Sequence, residues 1–401
     1  DTVHDFQNDP IQTYIDGEWV RAKGTTLGAD NGMGVAAGMA ILTSTDIPHG
    51  PVEVLITATE ETGMDGANGL KPGLLNGDIL LNLDSETEGE LYVGCAGGID
   101  FSASFQYKEE AVPAGMAAFR LAIKGLKGGH SGMDINLGRG NSNKLLFRFL
   151  KTYAKDLGLR IANILGGSLR NAIPRESFAT VVLPAENAEK LQAAVKEAEA
   201  IFQAELSAKE PTLSVSAEAT EMPSFVIDSC SQFRITNAIL ACPNGPVRMI
   251  DSMPGTVETS NNLAIVQSKD GKIIVKSLLR SSVETAKDAL AQSIRAVFEL
   301  AEADEINFEG GYPGWKPNPD SAILNEMQEI YEKMYGTRPA IMAIHAGLEC
   351  GILGSKYPDW DMISFGPTLC SPHSPDERVN IPSVVKFWDY LKETLKNIPM
   401  K

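Results

Sequence analysis

The chain is short of cysteine, of basic residues and of long apolar runs, and each shortage removes a class of function. Its five cysteines, Cys95, Cys230, Cys242, Cys350 and Cys370, are odd in number and widely scattered, without the CxxC spacing of a zinc knuckle or the density of a disulfide scaffold. They point to a reducing, cytoplasmic compartment. Lysine and arginine number 35 against 52 aspartates and glutamates, a formal charge of −17. Such a balance repels a phosphate backbone unless basic residues are segregated into a patch, and the sequence has none, so nucleic acid is not an expected partner. No run reaches the roughly 18 to 20 apolar residues of a membrane-spanning helix, and a soluble chain without a membrane partner is expected. Short-period repeats and low-complexity tracts are missing as well.

What remains is a globular composition. The 401 residues, 43% of them hydrophobic, suffice for two or three domains with a core in each. The sequence opens on Asp1-Thr2-Val3-His4-Asp5 rather than methionine, as if inside a segment, so an N-terminal part is expected to be absent, and any signal peptide with it.

Between Tyr14 and Ala22 two short β-like runs flank the turn dipeptide Asp16-Gly17. The glycine-rich Leu27-Gly28-Ala29-Asp30-Asn31-Gly32 then opens a small-residue helix expected to end near Ser44. A strand is predicted from about Val52 to Ala58, a glycine-punctuated loop from Thr62 to Gly69, and another strand from Ile79 to Leu83. This βαβ-like alternation of nearly continuous apolar strands argues a parallel sheet covered by helices. From Ile99 to about Asn307 the strands alternate more and long charged helices intervene, among them residues 188–207 and an amphipathic stretch at 283–303. After the turn-rich Gly310-Gly311-Tyr312-Pro313-Gly314-Trp315 the α/β pattern returns, with a helix at 320–335 and a strand at 361–365. The fold class is therefore α/β, a mostly parallel-sheet domain formed by residues 1–98 and 309–401, with an inserted α+β domain at 99–308.

Four residues share one placement. Asp30, Glu61, Asp84 and His373 each lie in a loop at or just beyond the expected C-terminal end of a strand, where a parallel sheet brings distant residues to one crevice. Oxygen and nitrogen donors of this kind suit zinc, manganese or cobalt and are not a thiolate site. Singly, each has a plainer reading. Asp30 could cap a helix, Glu60 and Glu61 could be a solvated pair at a helix start, Asp84 precedes residues with capping-box spacing, and His373 between prolines could mark a rigid surface turn. Jointly those readings need four coincidences.

The residues also carry a resemblance. Leu27 to Gly32, Thr59-Glu60-Glu61-Thr62-Gly63, Asn82-Leu83-Asp84-Ser85-Glu86, Gly94-Cys95-Ala96-Gly97-Gly98, Gly129-His130-Ser131-Gly132, Asn171-Ala172-Ile173-Pro174-Arg175-Glu176, His345-Ala346-Gly347-Leu348-Glu349-Cys350-Gly351 and Ser371-Pro372-His373-Ser374-Pro375-Asp376-Glu377 together resemble the aminoacyl-histidine dipeptidases. These are bacterial cytosolic di-zinc peptidases related to carnosinases and carboxypeptidase G. The likeness covers essentially the whole chain, with the motifs in the same order.

The resemblance implies a function residue by residue. Asp30 is expected to bridge two divalent ions, most simply zinc, with manganese or cobalt as alternatives, and its peptide bond to Asn31 is cis in relatives. Glu61 and His373 would complete one ion's protein ligands. Asp84 would serve the other ion, whose histidine comes in the family from an HxD motif upstream of residue 1, so this second site is expected to be incomplete. Glu60, beside a ligand but not one, is the natural general base for a metal-activated water. His130, alone a plain structural histidine in a glycine-rich turn, matches the residue that stabilises the oxyanion in relatives. Asn262 and Arg280 match residues of the inserted lid domain that hold the substrate's backbone and free carboxylate, for which an arginine's planar fork is suited, although a surface salt bridge would explain Arg280 equally well. His345 is placed near the substrate or in packing. The implied activity is hydrolysis of dipeptides of broad specificity, Xaa-His types such as carnosine included, with domain closure over a small peptide substrate and a homodimer as the assembly seen among relatives. The rivals are a hydrolase of tripeptides or N-acyl amino acids, and a metal-binding fragment with impaired turnover.

Overall fold

The computed structural model describes residues 4–398; Asp1-Thr2-Val3, where the chain was read as opening inside a segment, and residues 399–401 lie outside the described residues. The chain divides into two compact units, Asp1–Cys95 with Gly314–Lys401, and the continuous stretch Ala96–Pro313.

The first unit is built on a four-stranded sheet in the order Ala340–Ile344, Glu90–Cys95, Asp361–Ser364, Ile79–Asn82. The two outer pairings are parallel, and Ser364 meets Tyr92 in an antiparallel bridge at the centre. Parallel neighbours need a long crossover; that from Glu90–Cys95 to Ala340–Ile344 contains the second unit and the helix Ala322–Tyr335, and the helix Glu349–Lys356 then leads on to Asp361–Ser364. Ser321 caps the first of them, its side chain accepting the N–H of Leu324. A second, antiparallel sheet joins the hairpin Thr13–Asp16 and Trp19–Ala22 to Arg378–Asn380 and Leu369–Cys370. Gly17, at φ 61°, makes the hairpin's tight turn.

The second unit is a nine-stranded antiparallel sheet. Its path runs Ser214–Ala219, Met116–Lys124, Ser177–Pro184, Arg160–Gly166, Val257–Lys269, Lys272–Ser281, Gly97–Gln106 and Glu305–Tyr312, with Gly245–Met249 paired to Val257–Lys269. Helices Ser142–Leu157 and Glu284–Leu300 bring Leu146, Phe147, Leu150, Ile294 and Phe298 into one core with the sheet residues Phe101, Ile123 and Val181. Phe101 is fully buried, its ring centroid 4.8 Å from that of Phe298 and 5.2 Å from that of Phe308. Phe101→Ala is expected to destabilise this unit by about 3–5 kcal/mol, through lost transfer energy and the cavity left behind. A urea titration followed by far-UV circular dichroism checks it, and a shift below about 1 kcal/mol would contradict the packing described.

The mixed α/β architecture agrees with the sequence expectation, but three local readings need correction. No strand forms over residues 52–58. The segment has strand-like composition, yet a strand exists only as a hydrogen-bonded ladder; here Leu55 packs against the buried cluster of Ala67, Ile352 and Leu353 while Ile56 stands 58% exposed. The expected loop from Thr62 to Gly69 instead holds two single-turn helices, Glu60–Gly63 and Asp65–Gly69, because the breaks fall at Thr59 and Met64, both at positive φ, and not at the glycines. Finally, Gly310 and Gly311 do not end a domain. The strand Glu305–Tyr312 runs through them, absorbs them in an irregularity between Glu309 and Tyr312, and pairs Tyr312 with Gly98, so the units divide at residues 95 and 314 and not at 98 and 309.

Candidate active site

Two left-handed residues aim the paired glutamates. Thr59 at φ 58° and Met64 at φ 57° bracket the helical turn Glu60–Gly63, and a β-branched residue in that region is rare enough to mark a special loop. One helix holds this loop from both sides. At its start, Glu349 accepts a hydrogen bond from Thr57 Oγ1 at 2.8 Å on Oε2; at its end, Lys356 Nζ donates to the carbonyls of Ala67, Asn68 and Leu70 at 2.8, 2.5 and 2.7 Å.

Asp30 lies in the first turn of the helix Ala29–Thr43, where Asp30 and Asn31 depart from helical angles, and the peptide bond between them is cis, the geometry the resemblance implied. His373 comes from the far end of the chain on a turn in which Ser371 and His373 both have positive φ. Its Nε2 lies 3.0 Å from Asp30 Oδ2 and 2.9 Å from Glu61 Oε2. The three donor atoms are all within 4.8 Å of one another. Two ligands about 2.1 Å from a tetrahedral ion stand roughly 3.4 Å apart, so the spacing fits a small cation, and two carboxylate oxygens with one imidazole nitrogen are donors that zinc accepts. Among the described residues this is the group of side chains that converges as a metal site.

The electrostatics favour a cation there. Burial, and after it Glu61, Glu349 and Asp30, push the Glu60 carboxyl up to about 7. Asp84 is likewise raised to about 7, by burial first and then by Glu60, Asp30 and Glu349. Asp30, Glu86 and Glu349 are also raised, with burial the main cause in each, and Glu61 the next for Asp30. For His373 partial burial opposes the charged form, but the pull of Glu61 and Asp30 outweighs it and raises its pKa. Carboxylates that disfavour one another's charge this way are relieved together by one divalent ion. Asp84 takes part in this field without joining the three converging donors; its backbone N–H is held by Asn82 Oδ1 at 3.3 Å.

The second unit gathers the other expected residues. His130 pairs with Ala172 across two short strands. Its Nδ1 accepts the backbone N–H groups of Gly132 at 3.2 Å and Met133 at 3.1 Å, which fixes the proton of the neutral ring on Nε2. Burial, and then the charge of Arg280, lower its pKa against the pull of Asp134, so the ring is a neutral N–H donor. Arg280 is buried, with Nε and Nη2 each 3.4 Å from Ser131 Oγ and Nη1 donating to Tyr312 Oη at 3.0 Å. Asn262 spends its amide N–H groups on the carbonyls of Arg170 and Ala172, at 2.9 and 2.8 Å, holding the turn that pairs with His130, while its buried Oδ1 has no partner among the described residues. In the first unit, His345 follows the strand Ala340–Ile344 and is buried.

Two acids gain roles that spacing did not assign. Glu349 faces the site, with Oε2 on Thr57 and Oε1 buried without a hydrogen bond among the described residues. Glu377, four residues after His373, is 2% exposed. Glu349 carried a signal, an acid kept within an otherwise small and apolar motif, whereas Glu377 carried none.

The sequence profile of Peptidase family M20/M25/M40 matches residues 1–397. Over all 401 residues the chain is 47% identical to the cytosol non-specific dipeptidase of Escherichia coli strain K12, covering 82% of that protein. It superposes on the crystal structure of an aminoacylhistidine dipeptidase from Vibrio alginolyticus with a TM-score of 0.97 and 51% identity, over 100% of this chain and 82% of that one. An aminopeptidase from Bacillus cereus, 14% identical with a TM-score of 0.50 over 96% of this chain and 76% of that one, shares the fold alone.

Proposed function

The chain belongs to Peptidase family M20/M25/M40, and from that premise we propose that it hydrolyses dipeptides at a centre where Asp30, Glu61 and His373 hold a divalent metal ion. The observation that carries this reading is the convergence of those three donors from opposite ends of the chain. Zinc is the ion we assign, from the mixed oxygen and nitrogen donors, and manganese or cobalt would fit the same set. Asp84 and Asp30 are the residues that would hold a second ion.

When bound, a divalent cation supplies Lewis acidity, which makes water more acidic and polarises a carbonyl. The protein supplies the rest. Glu60, next to a ligand but outside the converging three, takes the proton of the attacking water on its carboxylate and passes it to the leaving amine nitrogen. His130 offers Nε2–H as a donor for the oxyanion, a role its tautomer supports. Arg280 offers its guanidinium to the substrate carboxylate, with Ser131 and Tyr312 holding the fork in place. Asn262 keeps one acceptor, Oδ1, for a substrate N–H.

The substrate class we propose is broad, including Xaa-His dipeptides. The cytoplasm is the compartment we assign, since the cysteines are free and one relative is named for the cytosol. Among the described residues no helix is long and apolar enough to cross a membrane. A panel of dipeptides, tripeptides and N-acyl amino acids tests the reading: dipeptides should be cleaved at least about tenfold faster in kcat/KM than the others. A preference for tripeptides would overturn it.

A further inference from the structure

We infer that Glu377 is a positioning residue of the metal centre, one whose carboxylate sets where Asp30 stands relative to His373. The inference rests on the reading of Asp30, Glu61 and His373 as that centre.

Glu377 accepts four backbone hydrogen bonds from consecutive residues. Oε2 receives the N–H of Leu27 at 2.6 Å and of Gly28 at 2.9 Å; Oε1 receives that of Ala29 at 2.8 Å and of Asp30 at 3.2 Å. An ionised carboxylate offers about four acceptor sites, so its capacity is filled. The donors run from Leu27, just outside the helix Ala29–Thr43, through its N-cap Gly28 to its first two residues; the opening N–H groups of a helix have no carbonyl of that helix to serve them, and this helix has no side-chain cap of its own. Negative charge is favoured at such an end. Gly28, at φ 73°, adopts the left-handed conformation within this run of donors.

A capping role alone would explain a buried acid. Two further facts connect it to the metal ligands. The last of the four donors is the N–H of Asp30 itself, and Glu377 ends the turn that directly follows His373, closed by the Glu377 N–H on the Ser374 carbonyl at 3.0 Å. The 3.0 Å approach of His373 Nε2 to Asp30 Oδ2 is therefore bridged a second time, through one carboxylate. The two segments also meet through Leu27, Ala29, Leu369 and Val379, so the fold has a support that does not depend on the charge.

The test uses zinc alone as probe, competed against a chromophoric chelator, on the full chain. Glu377→Gln keeps the shape but turns an acceptor into a donor facing N–H groups. Its zinc Kd should rise 10–100-fold, as when an outer partner of a metal ligand is lost. Glu210→Gln is the control. Glu210 is a buried acid of the second unit that accepts the N–H groups of Lys127 and Gly140 at 2.8 and 2.9 Å. That variant should lose thermal stability with zinc affinity unchanged. If Glu377→Gln does not fold, Glu377→Asp, one methylene shorter, should raise Kd in the same direction by a smaller factor. A folded Glu377 variant with a Kd within twofold of the parent overturns the inference while leaving the metal centre standing, and so does an equal loss in the Glu210 control. A parent chain that binds no zinc, or binds it as tightly after His373→Ala, overturns both readings.

Discussion

Glu60→Ala retains its metal and loses turnover by roughly 10²- to 10⁴-fold, the range that a positioned proton carrier contributes. The expectation follows from placement. Glu60 and Glu61 occupy consecutive positions of one helical turn, so their side chains diverge by about 100°, and only Glu61 reaches the converging donors. A carboxylate beside the ion and free of it can accept a proton from water and release it to an amine. Metal content and kcat measured on the same preparation decide the matter. If Glu60→Ala loses metal, the roles of the two glutamates are exchanged and the assignment fails.

The complementary change gives the opposite pattern. Glu61→Ala removes one of three donors, and its metal affinity should fall by more than the 10–100-fold typical of losing an outer partner. Activity disappears with the ion and returns in part as metal is added, which Glu60→Ala cannot match. His373 would then face Asp30 without the contact 2.9 Å away that now also raises its pKa. Retention of tight metal binding by Glu61→Ala would remove Glu61 from the centre. Both variants keep the loop's anchors, Thr57 to Glu349 and Lys356 to the carbonyls at 67–70, so neither should unfold the chain.

Much of this was legible because acids after apolar runs have few reasons to be there. Placement after apolar runs led to Asp30, Glu61, Asp84 and His373; that the first, second and fourth converge across 343 positions while Asp84 stays outside the three is a fact of the fold that no local pattern contains. Periodicity placed the amphipathic helix Glu284–Leu300 well, since it buries one stripe. It failed where structure depends on partners. Residues 52–58 have the composition of a strand without a ladder, and Gly310-Gly311 read as a break although a paired strand carries them. Positive φ at Thr59 and His373 was equally hidden, because neither residue type announces it. Glu377 escaped notice for the same reason: its partners are backbone N–H groups, which every sequence has.

The backbone pairing of Cys95 with Trp315, N–H to carbonyl at 2.9 Å in both directions, has a consequence for the order of synthesis. The first unit cannot assemble until its C-terminal part leaves the ribosome, whereas the continuous stretch Ala96–Pro313 can fold before then. Within that stretch Gly97–Gln106 and Glu305–Tyr312 lie side by side, so once it is folded the ends that flank it are already neighbours. Closing an unstructured loop of more than two hundred residues would cost on the order of 5 kcal/mol in chain entropy. Early folding of the insert removes that cost, because the chain ends that lead out of it already lie side by side.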